Sequence, residues 1–211
     1  ALTECLRAGL LCNDSRLVRK DERWTVEGDP TEGALLVSAA KAGMRADAAD
    51  DWPRIDVIPF ESQRAYMATL HDPGDGKPPV AYVKGAVEKI LGKSAKALTP
   101  DGRTDELDRE SVLQAAETLA GEGLRVLAFA RKEFPAQERA FGSSDDISGL
   151  TFLGLQGMID PPRQEAMKAI EACKTAGISV KMITGDHAVT AAAIASQLGL
   201  TDPSAGSRPR A

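Results

Sequence analysis

Apolar residues recur at helical intervals over Leu2–Leu11, with Leu2, Cys5, Leu6 and Leu10 on related turns, so a first helix is expected there. A polar connection follows. Gly28-Asp29-Pro30-Thr31-Glu32 is a helix start, with Asp29 as N-cap, Pro30 in the first turn and Glu32 placed to close a capping box. That helix should run through Ala34–Ala42 and stop at Gly43. From Ile55 the pattern shortens to strand-like runs, 55–59, 65–70 and 80–83. The last two are separated by Asp72-Pro73-Gly74-Asp75-Gly76, a hairpin loop in which Asp75 and Gly76 suit positive φ. Pro100-Asp101-Gly102 marks another turn, and helical periodicity returns over 106–121. Strands are expected at 126–130 and 151–159. Strand pairs joined by tight turns predict an α+β fold, a largely antiparallel sheet flanked by helices.

Beyond Asp160 the texture changes to an α/β unit. Arg163–Ala176 is amphipathic and stops at Gly177, 178–183 reads as a strand, and Thr184-Gly185-Asp186 turns into an alanine-rich helix. The stretch from Thr201 to Ala211 reads as a flexible end. Domain limits are therefore expected at 1–159, 160–200 and 201–211.

Composition narrows the chemistry. With 211 residues, 43% hydrophobic and 27% charged, the chain can bury a sizeable core. Its net charge of -5 argues against a nucleic-acid binder, which carries a basic face. Any anionic ligand must find its positive charge locally. Cys5, Cys12 and Cys173 lack metal-ligand spacing and read as reduced thiols. His71 and His187 do not form a metal pair, and no residues are assigned to a metal. No apolar run approaches the roughly 18 residues of a membrane span. There is no phosphate-binding Gly-x-x-x-x-Gly-Lys-Ser/Thr loop. Trp24 and Trp52 are expected to pack against the sheet or helices.

Six short segments each join a permissive turn to a group able to touch a nucleotide. They are Gly28-Asp29-Pro30-Thr31-Glu32-Gly33, Pro59-Phe60-Glu61-Ser62, Lys84-Gly85-Ala86, Leu124-Arg125-Val126-Leu127, Asp160-Pro161-Pro162-Arg163 and Thr184-Gly185-Asp186. On local grounds Phe60 is a core ring, Glu32 a capping residue and Lys84 a solvated charge at a sheet edge. Arg125 either pairs with a carboxylate or faces a phosphate, and Leu127 shares its side of the strand. Gly85 would let a ligand approach the backbone.

In this order the segments resemble the ATP-binding cytoplasmic part of P-type cation-pumping ATPases, closer to calcium- and sodium-type pumps than to heavy-metal pumps. The resemblance implies a nucleotide-binding domain followed by part of a haloacid-dehalogenase-like phosphorylation domain. It implies that Phe60 stacks on adenine, Glu32 accepts from the adenine amino group, and Lys84 and Gly85 line the pocket. Arg125 would meet the triphosphate beside Leu127. Asp160 and Arg163 would lie at the interdomain hinge, and Thr184, Gly185 and Asp186 near the γ-phosphate. ATP is the implied ligand, with Mg2+ in the full-length parent and the rest of the pump as partner, at the cytoplasmic face of a membrane. The family's phosphorylated aspartate, in Asp-Lys-Thr-Gly-Thr, is not in this sequence, so the chain alone is expected to bind ATP without hydrolysing it. Ser62 and Ala65 stand where many relatives are basic, and Arg64 is the nearby cation that could compensate. Two other readings are a haloacid-dehalogenase-like phosphatase and a non-catalytic nucleotide-binding module.

Overall fold

The computed structural model describes residues 1–21, 23–45, 49–142, 147–159, 164–184 and 188–200. The chain divides into two compact units, one made of Ala1–Leu113 and Val126–Gln156, the other of Gln114–Arg125 and Gly157–Ala211. In chain order the elements are α1 (Leu2–Leu11), β1 (Arg16–Lys20), β2 (Arg23–Glu27), α2 (Pro30–Lys41), β3 (Arg54–Glu61), β4 (Tyr66–His71) and β5 (Val80–Gly85). There follow α3 (Val87–Lys93), β6 (Ser94–Leu98), β7 (Thr104–Glu106), α4 (Arg109–Gly121), β8 (Arg125–Glu133), β9 (Leu150–Met158), α5 (Gln164–Thr175) and α6 (Ala188–Gln197).

The main sheet has seven strands in the order β3-β4-β5-β8-β9-β6-β7. Pairing is antiparallel from β3 through β8 and between β6 and β7, whereas β6 runs parallel to β9. The sheet is thus mixed rather than purely antiparallel. Its two most buried strands, β4 and β5, have no exposed residue, in keeping with their mainly apolar sequence, and they bury Thr69, His71 and Lys84 as well. On one face Tyr82 meets Trp52 at 6.2 Å between ring centroids and donates its hydroxyl to Glu4 of α1 at 3.2 Å. On the other, Leu70, Ala81 and Phe134 form a cluster with Ile55 and Phe141.

Helix α2 begins as its residues demand: Asp29 accepts from the backbone N–H groups of Thr31 and Glu32, and Pro30 needs no donor. It stops at Ala42, with Gly43 at φ +81°. The preceding connection is not merely a polar loop. It is the antiparallel hairpin β1–β2, set against α2 so closely that a β-carbon on Gly33 would collide with Val26. Trp24 on β2 is 64% exposed, so it does not pack as expected. Trp52 does, against Tyr82 and beneath the Arg7 guanidinium at 5.2 Å.

Three more elements differ from the sequence reading. Residues 104–106 form β7 and α4 starts only at Arg109, where the Asp108 carboxylate accepts from Ser111 N–H at 3.0 Å. Residues 178–183 form no strand, because nothing pairs with them among the described residues. Ile183 is accordingly 97% exposed, and the expected haloacid-dehalogenase-like unit is not established. Within that second unit, the turn at Gly123 approaches α6 so that a β-carbon there would stand 3.3 Å from Ala193.

His71 is buried at the end of β4, with Nδ1 2.8 Å from the Trp52 carbonyl and Nε2 2.9 Å from the Thr69 hydroxyl. A carbonyl only accepts, so Nδ1 carries the proton and Nε2 accepts from Thr69. Burial holds the imidazole pKa below its ordinary 6.5; the bond to Trp52 opposes this and the Arg54 charge adds to it. Below pH 6.5 the unfolded chain therefore binds more protons than the folded one at this residue. Stability is expected to hold above that pH and to fall as the medium becomes more acidic. Urea unfolding between about pH 5.5 and 7.5 checks this, since the unfolded imidazole titrates there. His71→Gln should flatten the slope, and an unchanged slope would remove His71 as its source.

Candidate functional site

The candidate site is built where α2, the segment after α1 and β5 converge. Lys84, near the end of β5, directs Nζ to Glu32 Oε1 at 2.6 Å. The two side chains keep only 7% and 16% of their accessible surface, so this ion pair is largely withdrawn from water. Glu32 was placed by its spacing to complete a capping box, but its carboxylate is used elsewhere. Oε2 accepts from Asp14 N–H at 3.0 Å and from the Ser15 hydroxyl at 3.1 Å. The tertiary donors supply a fuller shell for a half-buried anion than one backbone amide could.

The residues holding that shell were not singled out in the sequence. Asn13 donates to the Gly9 and Glu32 carbonyls at 3.0 and 2.9 Å, and its own oxygen accepts from Ser15 N–H at 2.9 Å. This Asx turn fixes Asp14 and Ser15 against the first turn of α2. The run Asn13-Asp14-Ser15 directly after a helix was the available signal. Arg54 ties the same loop to β3, bonding Asp14 at 2.6 Å and the Asn13 carbonyl. Behind the ion pair lies Cys12, whose thiol reaches the Met67 carbonyl at 3.6 Å. Burial pushes that thiol's pKa up, although the Lys84 charge opposes it, so Cys12 stays a neutral filler.

Phe60 is the clearest departure from a local reading. It is 59% exposed, not a core ring. Strand register explains why. Ile58 pairs with Ala68 and Glu61 with Tyr66, leaving both Pro59 and Phe60 opposite Met67. Two residues facing one make a bulge, which re-aims side chains and strengthens local twist. Met67 pairs in turn with Lys84, and Lys84 with Phe129. Phe60 and Lys84 therefore belong to one row across the sheet, two strands or about 10 Å apart.

Gly85 ends that strand, and the chain's own backbone already requires glycine there. A β-carbon there would stand 2.5 Å from the Ala65 carbonyl oxygen and 2.7 Å from the Tyr66 Cα. The close approach is to the chain's own turn, sealed by Ala86 N–H donating to the Ala65 carbonyl at 2.9 Å. Leu127 is half-buried on β8, one residue before Ala128, the partner of Gly85. Arg125 is exposed as the first residue of β8, and Thr184 is exposed in the second unit. Asp160, Arg163, Gly185 and Asp186 lie outside the described residues. So does His187.

A cavity of about 510 Å³ in the first unit, beside Leu10, Leu36, Met44 and Trp52, shares Asn13, Ser15 and Arg54 with the shell around Glu32 but includes neither Phe60 nor Lys84. Of the arginines that line it, Arg54 pairs with Asp14 and Arg45 with Asp51 at 3.2 Å, whereas Arg16 stands exposed at the start of β1. The Phe60–Lys84 row is the better candidate because it combines an uncovered ring with a withdrawn charge pair. Among the described residues no group of three or more His, Cys, Asp or Glu side chains could hold a metal ion. Nor is any helix there long and apolar enough to cross a membrane.

Comparison with known proteins gives this arrangement its family. The family described as P-type ATPase, cytoplasmic domain N, matches residues 1–165. The chain belongs to the P-type cation-transporting ATPases, and its residues 1–165 are those that match their cytoplasmic domain N. It is 54% identical over 200 residues to the cation-transporting ATPase pma1 of Synechocystis, covering 94% of this chain and 22% of that protein. It is 48% identical over 211 residues to the probable cation-transporting ATPase F of Mycobacterium tuberculosis, covering 98% and 23%. Calcium-transporting ATPase 1 of Bacillus cereus is 38% identical over 197 residues, covering 92% and 21%. The chain thus spans less than a quarter of the length of these relatives.

The ion pair generates a stability test. Removing one partner of a buried pair leaves the other uncompensated, so Lys84→Met should cost about 3 kcal/mol in urea unfolding. Adding Glu32→Gln should recover part of that loss. Additive losses would mean that the two groups do not depend on each other.

Proposed function

We propose that this chain is the nucleotide-holding module of a cation-transporting P-type ATPase. The adenine of ATP stacks on Phe60, and Lys84, held by Glu32, supplies positive charge further along the same row. The observation that carries this reading is the ring of Phe60, lifted onto the surface by a bulge and aligned with a largely buried lysine–glutamate pair. A base on an aromatic face contributes about 1–3 kcal/mol and requires no positive field. That suits a chain whose net charge is -5.

Glu32 retains a role toward the ligand. An ionised carboxylate offers about four acceptor directions. Lys84, Asp14 and Ser15 take three of them, which leaves one for a single donor such as the adenine amino group. Lys84 has three N–H donors, of which Glu32 uses one. Arg125 is assigned to the triphosphate, where its planar donors suit pairs of phosphate oxygens, with Leu127 beside it. Asp160 and Arg163 are assigned to the hinge between domains, and Thr184, Gly185 and Asp186 to the γ-phosphate end. We place the nucleotide domain at 1–159 and the start of the phosphorylation domain at 160–200; residues 201–211 lie outside the described residues.

In the full-length parent, on the cytoplasmic side of a membrane, the module would carry ATP to an aspartate outside this chain. Binding the base would lower the orientational cost of phosphoryl transfer. Mg2+ is expected in the parent, and no step is assigned to it on this chain. The transported cation is chosen by groups outside this sequence. Phe60→Ala should weaken ATP binding about tenfold or more by titration calorimetry, the equivalent of one lost base–ring stack. An affinity equal to that of the unaltered chain would reject the stacking role.

A further inference from the structure

Arg64 follows Phe60, the proposed base platform, closely in sequence and is the one cation between Phe60 and Ala65. Its position invites the reading of a phosphate contact, a substitute for the basic groups that Ser62 and Ala65 do not provide. The geometry says otherwise. One guanidinium nitrogen, Nη1, donates to the Pro59 carbonyl at 3.2 Å, and the other, Nη2, to Glu61 Oε2 at 3.2 Å. The guanidinium carbon lies 5.8 Å from the centroid of the buried Tyr66 ring, which also has Lys93 Nζ 5.1 Å from its centroid. The fork therefore grips both ends of the Pro59-Phe60-Glu61 bulge while its plane is braced on Tyr66.

The chain around it is unusually constrained. Ala65 is held at φ +56°, a left-handed conformation that costs a residue with a β-carbon about 1 kcal/mol or more. It is kept there by Ala65 N–H donating to the Glu61 carbonyl at 2.7 Å and by its own carbonyl accepting from Ala86 at 2.9 Å. With this turn closed at one end and Arg64 bonded to Pro59 at the other, Phe60 projects from a segment fixed on both sides.

We propose that Arg64 is a positioning residue, acting on nucleotide affinity through Phe60 by locking the bulge that presents the ring, and making no contact with phosphate. The inference rests on the nucleotide-binding reading above. Its consequence is specific: Arg64 matters equally for every ligand that carries the base, whatever its charge.

The test is a set of chemical-shift titrations of the 211-residue chain with ATP and with adenosine. Arg64→Ala should weaken both ligands by the same factor, about tenfold, which is the size of coupling seen between residues in contact. Arg64→Lys keeps a cation near Tyr66 but cannot hold Pro59 and Glu61 in parallel, and should give a smaller loss for both ligands. This variant also serves if the alanine variant does not fold. In a Phe60→Ala background, removing Arg64 should change neither affinity further. A loss confined to ATP would overturn the proposal in favour of a phosphate contact, and undiminished losses without Phe60 would overturn it in favour of a separate role. If Phe60→Ala weakens ATP while Arg64→Ala does not, only the role of Arg64 falls. If Phe60→Ala leaves ATP binding intact, the base-stacking reading falls with it.

Discussion

The pairing of Lys84 with Glu32 is the interaction on which the site depends. It joins the central sheet to the first turn of α2, and through Asp14 and Ser15 it also fastens the segment after α1. Two charges so far removed from water are costly to bury, and a well-packed apolar pair would serve stability at least as well. The pair gives the site something that packing alone does not: an ammonium and a carboxylate held at fixed positions, each with bonding capacity left over. Around it, glycine at positions 33 and 85 permits approaches that a methyl group would block. One brings the hairpin onto α2, and the other brings β5 onto the turn after Phe60.

The strongest local signals were legible in the sequence for physical reasons. Asp29 and Pro30 can satisfy a helix N-terminus in few other ways, and Asp75 and Gly76 adopt the positive φ their loop requires. The buried strands β4 and β5 announced themselves by short, mainly apolar runs. Short exposed elements did not. Strands β1 and β2 carry arginine, lysine and glutamate on open surfaces, so neither periodicity nor apolar content marks them. Helix α3 and strands β6 and β7 are too brief to show a period. The opposite error occurred at 178–183, where strand-like composition lacks a hydrogen-bonding neighbour among the described residues. A strand is a property of a pair, and half of it cannot be read alone.

The site was legible as a set of residues but not as a geometry. Glu32 was recognisable, yet its partners Asp14 and Ser15 lie distant in sequence and its bond to Lys84 crosses 52 positions. Phe60 beside Pro59 looks like interior, and only the register between β3 and β4 reveals the bulge that exposes it. Arg64 shows the same limit from the other direction. Its type suggests an anion, whereas its surroundings turn it inward to a carbonyl, a carboxylate and a ring. Membership of the P-type ATPases supplies the setting in which an exposed ring and a withdrawn lysine on one row acquire meaning.

The most direct measurement is a proton nuclear Overhauser spectrum of the chain in complex with ATP. Cross-peaks are expected between the adenine ring protons and the aromatic protons of Phe60, with the Lys84 side chain near the same ligand. Adenine cross-peaks to other residues, with none to Phe60, would contradict it.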